Sequence, residues 1–265
     1  MDSFQIAISD WAAFSPRRMQ RDQWLAWAEG NDRREPAEHK PELPWVSPML
    51  RRRLSPMGRA ALWAAGQLLG DQRREPMATI FASRHGEVGR TVKLMRELAV
   101  EAPLSPASFS LSVHNAIGGI HSIANQVFSP ITAISAGPDT LSAALLEAYT
   151  QLACAGRVAV EAGESAEVLC VFYDDSLPDP LCEFNTQEAE VQALALRVTL
   201  GVDAEGVPLA FALSEAPAAP ENPSDSGSAQ VDRFLRFLLD DGQSNLELRG
   251  GKRLWQWCKR DRISA

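Results

Sequence analysis

Residues 131–148 read ITAISAGPDTLSAALLEA: six residues of strand character, a break at Gly137-Pro138, then apolar positions at helical spacing. A strand that turns directly into a helix is half of a β–α–β unit, and such units build sheets with helices packed on their faces. Pro138 falls in the first turn of the helix, where a missing N–H costs nothing. The same junction is also a chemical address. A thiol placed there meets the unpaired N–H groups and the dipole of the helix, which lower its pKa toward the reactive thiolate. Here the junction offers only glycine and proline.

The rest of the chain keeps the alternation of strand and helix. FQIAISDWAAF (4–14) reads as a first strand and QRDQWLAWA (20–28) as a short helix. From Ser47 to Leu69 apolar residues recur at helical spacing (Leu50, Leu54, Met57, Ala61, Ala64, Leu68), which predicts one long core-facing helix bent at Pro56. ATIFAS (78–83) is a short buried strand and GEVGRTVKLMRELAVEA (86–102) the next helix. Residues 105–127 keep a three-to-four spacing through the pair Gly118-Gly119. Two glycines inside a helix cost about 1 kcal/mol each relative to alanine, so a neighbour is expected to pack close to that backbone. EVLCVFYDD (167–175) is a fourth strand, and VQALALRVTLGV (191–202) and VPLAFAL (207–213), joined by DAEG, predict a hairpin. Residues 215–230 read as an exposed linker, VDRFLRFLLDD (231–241) as an amphipathic helix and LWQWC (254–258) as an aromatic anchor in a helical C-terminal tail. The order predicts an α/β protein: a mixed sheet covered by helices, with an antiparallel edge.

Charge and cysteine usage exclude several classes of function. The net charge of −8 divides along the chain: residues 1–100 hold 16 Lys+Arg against 12 Asp+Glu, residues 101–245 hold 4 against 20, and residues 246–265 hold 6 against 2. With a pI near 5.1 and no interleaving of aromatic and basic residues, no nucleic-acid partner is expected. No run of eighteen apolar residues occurs and the N-terminus carries no basic leader, so no membrane insertion and a cytoplasmic location are expected. Cys154, Cys170, Cys182 and Cys258 share no CxxC spacing and none lies near a histidine, which points away from zinc and from a disulfide framework. Neither a cofactor nor a metal is expected.

Four histidines occur and none follows residue 121. His114, with Asn115 beside it, and His121 lie seven apart in one helical pattern, where they either line a pocket together or are polar groups satisfied at a helix interface. Ser135 is the hydroxyl nearest the end of the third strand, and a triad with His85 and an acid is conceivable. It lacks the strained Gly-x-Ser-x-Gly elbow that exposes such a serine. Asp174 and Asp175, adjacent on an extended chain, point to opposite faces and read as solvated.

The segments from SPASFSLSVHNAIGGIHSIANQVFSPITAISAGPDT through EVLCVFYDD resemble the N-terminal half of a β-ketoacyl synthase of the thiolase fold, over about residues 76 to 175. In that family the third strand ends in an alanine-cysteine pair whose thiol carries the acyl chain. Aligned from Ser129-Pro130 through Ala148, the cysteine's place is taken by Pro138, or by Gly137 with one residue of slippage. The family's two catalytic histidines come from glycine-rich motifs of a second half, and those motifs do not occur here. The resemblance therefore implies a thiolase-like domain over residues 1–214, a linker over 215–230 and a helical segment over 231–265.

Among synthase-like subunits without the cysteine, the chain resembles the short chain-length factors of type II polyketide and aryl polyene systems. That resemblance implies a non-catalytic subunit that pairs with a catalytic β-ketoacyl synthase and meets acyl carrier protein only through it. The third strand, Ile131, Thr132, Ala133, Ile134 and Ser135, is then an interface element, apolar and uncharged as an unpaired edge would avoid being. The alternative is an independent acyltransferase or hydrolase using Ser135 or a cysteine.

Overall fold

The computed structural model describes residues 3–31, 39–162, 166–185, 190–200, 206–216 and 227–260. Its frame is one eight-stranded sheet. The strands are β1 (Phe4–Phe14), β2 (Ala78–Ala82), β3 (Ile131–Ile134), β4 (Glu167–Asp174), β5 (Gln192–Thr199), β6 (Val207–Glu215), β7 (Asn245–Gly250) and β8 (Arg253–Lys259). Their order across the sheet is β3-β2-β4-β5-β1-β6-β8-β7. β3, β2 and β4 run parallel, and every other pairing is antiparallel. The expected mixed sheet is present.

Helices cover both faces. α1 (Arg21–Ala28), α7 (Thr140–Ala162) and α8 (Gly227–Leu239) lie on one side, α3 (Pro56–Leu69) and α6 (Ala116–Asn125) on the other. The alternation of side chains divides each strand between two cores: in β4, Val168, Cys170 and Phe172 face α7, while Leu169, Val171 and Tyr173 face α3. Strands buried on both faces read as near-continuous apolar runs, which is the pattern of EVLCVFYDD. β1 adds a refinement. Ile6 and Ile8 share a core with Trp11 and Ala13, although the parity of their numbers differs. A register shift between Ile8 and Asp10 accounts for it, because one extra residue exchanges the faces of everything that follows.

α3 is apolar nearly all round and buried nearly all round, the behaviour of a central helix. Its small residues allow it to lie close on β1 and β5, where Ala12, Ala193 and Ala195 present equally small side chains. The predicted bent helix over 47–69 is in fact two, α2 (Pro48–Arg53) and α3, with Leu54 extended between them. The sequence codes the break: Ser47-Pro48 and Ser55-Pro56 each place a hydroxyl that caps the helix, onto the N–H of Leu50 and of Gly58, before a proline at the first helical position. Ser105-Pro106 repeats the device at α5 (Pro106–Ser110).

The segment 105–127 is also two helices, α5 and α6, because residues between them bond elsewhere. His114 Nε2 donates to the Ser83 carbonyl at 2.9 Å, and the Tyr173 hydroxyl donates to the His114 carbonyl at 3.3 Å. α4 (Val88–Ala99) precedes them as predicted.

Two expectations are corrected. β5 and β6 do not form a hairpin: β1 lies between them and pairs with both. Alternating apolar residues fix which face a strand buries and say nothing of which strand lies beside it. Of the DAEG turn only Gly206 is within the described residues, and it passes so close to the Ile8 carbonyl that a β-carbon would overlap it. The C-terminal segment is helical only in α8; Asn245–Lys259 is a β-hairpin added to the sheet through β6 and β8. Leu246, Leu248, Trp255 and Trp257 alternate with polar neighbours, a period of two that the aromatic run had masked. The linker over 215–230 lies mostly outside the described residues.

A β-carbon on Gly118 would sit 2.8 Å from Ile131 Cγ2, whereas nothing lies within 4 Å of one on Gly119. The expected close neighbour is therefore β3, and it concerns one glycine of the pair. Gly118→Val is expected to lower stability by about 1–3 kcal/mol through overpacking, and Gly119→Ala to raise it by about 0.5–1 kcal/mol through helix propensity. Urea denaturation of the two variants measures this, and equal effects would contradict it.

Candidate functional site: the β3–α7 junction and the open sheet edge

The junction begins where β3 ends. Gly137 has φ 58°, a left-handed conformation natural to glycine, and turns the chain from strand to helix. A 3-10 turn over Gly137–Asp139 leads into α7, with Pro138 in its first turn. The Thr140 hydroxyl closes it, accepting from the Ala136 N–H at 3.1 Å and donating to the Gly137 carbonyl at 2.7 Å. Of the two positions aligned with the family's thiol, Gly137 lies in the turn itself and Pro138 begins the helical geometry.

The next residue, Asp139, is the one that sequence reasoning missed. Its carboxylate is buried, accepts the Trp255 indole N–H at 2.8 Å and lies 3.4 Å from the Arg253 guanidinium. Gly250 lies so close that a β-carbon there would overlap the carboxylate. The hairpin β7–β8 thus clasps the head of α7. Burial pushes the Asp139 carboxyl above the ordinary range, against the opposing pull of Trp255 and Arg253. The only sequence signal was the aromatic run at 254–258, and nothing in it named a partner 116 residues away.

A polar network ties the neighbouring strand ends. Asp174 accepts the Ser83 hydroxyl at 2.8 Å and the N–H groups of Arg84 at 3.0 Å and His85 at 3.5 Å. The reading of Asp174 as a solvated carboxylate is corrected, since it anchors the loop after β2. Desolvation raises its pKa to about 6 despite those donors. Asp175 accepts from the Ser176 N–H at 2.7 Å, and burial pushes its pKa up. Among the described residues no group of three or more His, Cys, Asp or Glu is placed to hold a metal.

The other candidates separate. Ser135 is exposed and donates its hydroxyl to the Arg84 carbonyl at 2.9 Å, so no Ser135–His85 hydrogen bond forms a triad. His114 is drawn to the end of β2, and Asn115 is exposed at the start of α6. His121 is buried against Phe81, within hydrogen-bond reach of Asn125. Desolvation lowers its pKa to about 4, so it is a neutral core group. His114 and His121 are satisfied by separate partners, and neither lines the cavity beside α4. Cys170 is buried in β4, where burial pushes its thiol far up, and Cys154 and Cys182 are exposed away from the junction.

A cavity of about 340 Å³ opens on the far side of β2, between the start of α4 and the end of β4. Its cations Arg90 and Lys93 are offset by Glu87 and Asp175, and neither Gly137 nor Ser135 lines it.

β3 pairs with β2 on one side only and is an edge of the sheet. Ile131 packs under α6, Thr132 accepts from the Gln151 amide of α7 at 3.0 Å, and Ile134 joins the α7 core. Within β3 only Ala133 is exposed. The two edges of the sheet differ in chemistry: β7 carries outward Glu247 and Arg249, charges that discourage pairing, whereas β3 carries none.

The sheet order and the two helical layers define a thiolase-like fold. Comparison with known proteins agrees. The β-ketoacyl synthase N-terminal domain family matches residues 24–258. The chain is similar to a chain in the solved complex of a ketosynthase (ApeO) with its chain length factor (ApeC) from Xenorhabdus doucetiae, at 26% identity and TM-score 0.75, covering 96% of this chain and 99% of that one. The ishigamide ketosynthase/chain length factor (16% identity, TM-score 0.56, covering 80% of this chain and 67% of that one) and a β-ketoacyl synthase from Burkholderia phymatum STM815 (12%, TM-score 0.56, 81% and 65%) share the fold. No curated protein matches. This chain belongs to the β-ketoacyl synthase N-terminal domain family. Among the described residues no helix is long and apolar enough to cross a membrane.

Two outcomes test this geometry. Asp139→Ala and Trp255→Phe should each cost about 1–3 kcal/mol, the price of an unmatched buried polar group, and their double mutant should cost clearly less than the sum. Additive losses in thermal or urea unfolding would separate the pair. For Asp174, the folded pKa of about 6 lies above the unfolded value of 3.8. Its contribution to stability is full below about pH 4 and is lost as pH rises through about 6. The difference in urea midpoint between wild type and Asp174→Asn should therefore shift in favour of the variant between about pH 4 and pH 7.

Proposed function

We propose that this chain is a non-catalytic, chain-length-factor-type subunit that pairs with a catalytic β-ketoacyl synthase in polyketide- or fatty-acid-type synthesis, aryl polyene synthesis in particular. The observation that carries the reading is the β3–α7 junction. Condensation needs a thiol to hold the acyl chain and donors to stabilise the enolate and oxyanion. At this junction Gly137 has no side chain, Pro138 has neither nucleophile nor N–H, and Asp139 presents a carboxylate already clasped by Trp255 and Arg253. A carboxylate beside a developing oxyanion opposes it.

The partner follows from the edge. An uncharged strand with one open side invites another strand, and antiparallel pairing of β3 with the corresponding strand of a synthase covers it. The similarity over nearly the whole of a chain from a solved ketosynthase–chain length factor complex supports the same partner class. Acyl carrier protein is met through the synthase. An independent acyltransferase is disfavoured by Ser135, whose hydroxyl has a carbonyl as its partner where a base is required.

Incubation of the isolated protein with acyl carrier protein thioesters should leave its intact mass unchanged; an acyl adduct on Ser135 or any cysteine would overturn the reading. Gly137→Cys and Pro138→Cys should likewise yield no condensation of malonyl thioester without a partner synthase, because a thiol regains the helix dipole but no oxyanion donors. Turnover by either variant would refute the non-catalytic assignment.

A further inference from the structure

The strand order ends in two unlike edges, an uncharged one at β3 and a charged one at β7. Among the described residues no further strand pairs with either. Unlike edges on one chain are a head and a tail, and a head-to-tail contact between copies does not close on itself. Each copy added leaves a new edge for the next, and the product is a fibre. Side-chain charges on β7 discourage that contact, but they do not occupy the backbone groups through which strands pair.

α8 occupies them. Gln230 Nε2 donates to the Arg249 carbonyl at 2.7 Å, and the Arg233 guanidinium donates to the Glu247 carbonyl at 2.6 Å. Glu247 and Arg249 lie two apart on an extended strand, so their carbonyls point the same way. Gln230 and Arg233 lie three apart and so share one face of the helix, with the later helical residue meeting the earlier strand residue. Three residues of helix rise about 4.5 Å and two of strand about 6.6 Å, and the longer side chain of arginine spans the difference. Phe234, Leu235, Phe237 and Leu238 are buried in the core on the other side of the helix, so packing independent of the two donors holds them in place. An incoming strand needs these carbonyls as acceptors and the space before them for its own backbone. Both are filled.

We infer that α8 is an edge cap: Gln230 and Arg233 close β7 against strand addition, so that the β3 edge of a second copy of this chain cannot join it and association stops at a pair. The inference stands apart from the chain-length-factor reading, because it concerns copies of this chain alone. It also gives the polar residues of α8 a task that the packing of its apolar face does not require.

The test is sedimentation velocity on the isolated full-length chain. Arg233→Met removes the exposed hydrogen bond while keeping an apolar stem, and Gln230→Leu is added in a double variant. Growth beyond a pair should raise the weight-average mass of Arg233→Met at least about twofold over wild type, increasingly with protein concentration, and that of the double variant further. Arg52→Met, which removes an exposed guanidinium from α2, should leave the mass unchanged. Ala133→Lys, a charge at the exposed position of β3, should return Arg233→Met to the wild-type mass. Circular dichroism checks folding, and if the buried Gln230→Leu change unfolds the double variant the single one decides. A folded Arg233→Met of wild-type mass, growth that Ala133→Lys leaves intact, or a wild type that itself grows beyond a pair overturns the edge cap.

Discussion

Strand β1 is the piece on which the rest of the structure depends. It pairs on one side with β5 and on the other with β6, strands that arrive nearly two hundred residues later in the chain. Both of its edges are consumed and both of its faces are buried, so its backbone hydrogen bonds and apolar side chains are satisfied only by residues far away in sequence. Neither half of the sheet is complete without it: the parallel part, β3-β2-β4, reaches β1 through β5, and the C-terminal hairpin reaches it through β6. The bulge near Ser9 keeps both halves of the strand in register with the two cores.

Helices lie on both faces of the sheet, and its two outer strands, β3 and β7, each leave one side unpaired among the described residues. The chain treats them differently. β7 ends the sheet with charged side chains and is covered in part by α8, while β3 ends it with Ile131, Thr132, Ala133 and Ile134 and no charge. Beside β3 lies the junction where a relative that catalyses condensation needs its thiol. In this chain that corner is closed by hydrogen bonds: the hairpin from the far end of the sequence reaches back to hold Asp139, and a carboxylate, a hydroxyl and backbone amides tie the ends of β2 and β4.

Local rules and tertiary rules divided the work. The strands at 4–14, 78–82, 131–134 and 167–174 were legible because period and length marked them; the three Ser-Pro helix starts are equally local, although the one at Ser55-Pro56 was read as a bend within a single helix. The break between α5 and α6 was not, because its cause is a histidine bonding to the end of another strand. The hairpin expected of β5 and β6 failed for the same reason: β1, which separates them, is remote in sequence.

The sequence by itself determined that this chain is a mixed α/β protein with neither thiol nor histidine at the third strand–helix junction, because strand and helix periods and residue identities are local properties. Only the tertiary structure decided that the aromatic tail is a pair of strands, that Trp255 and Arg253 hold Asp139, that Asp174 anchors the loop after β2, and that β3 is the open edge. Each of these joins groups far apart in sequence, and such partners are chosen by burial and hydrogen-bond satisfaction across the whole fold, which no window of sequence contains.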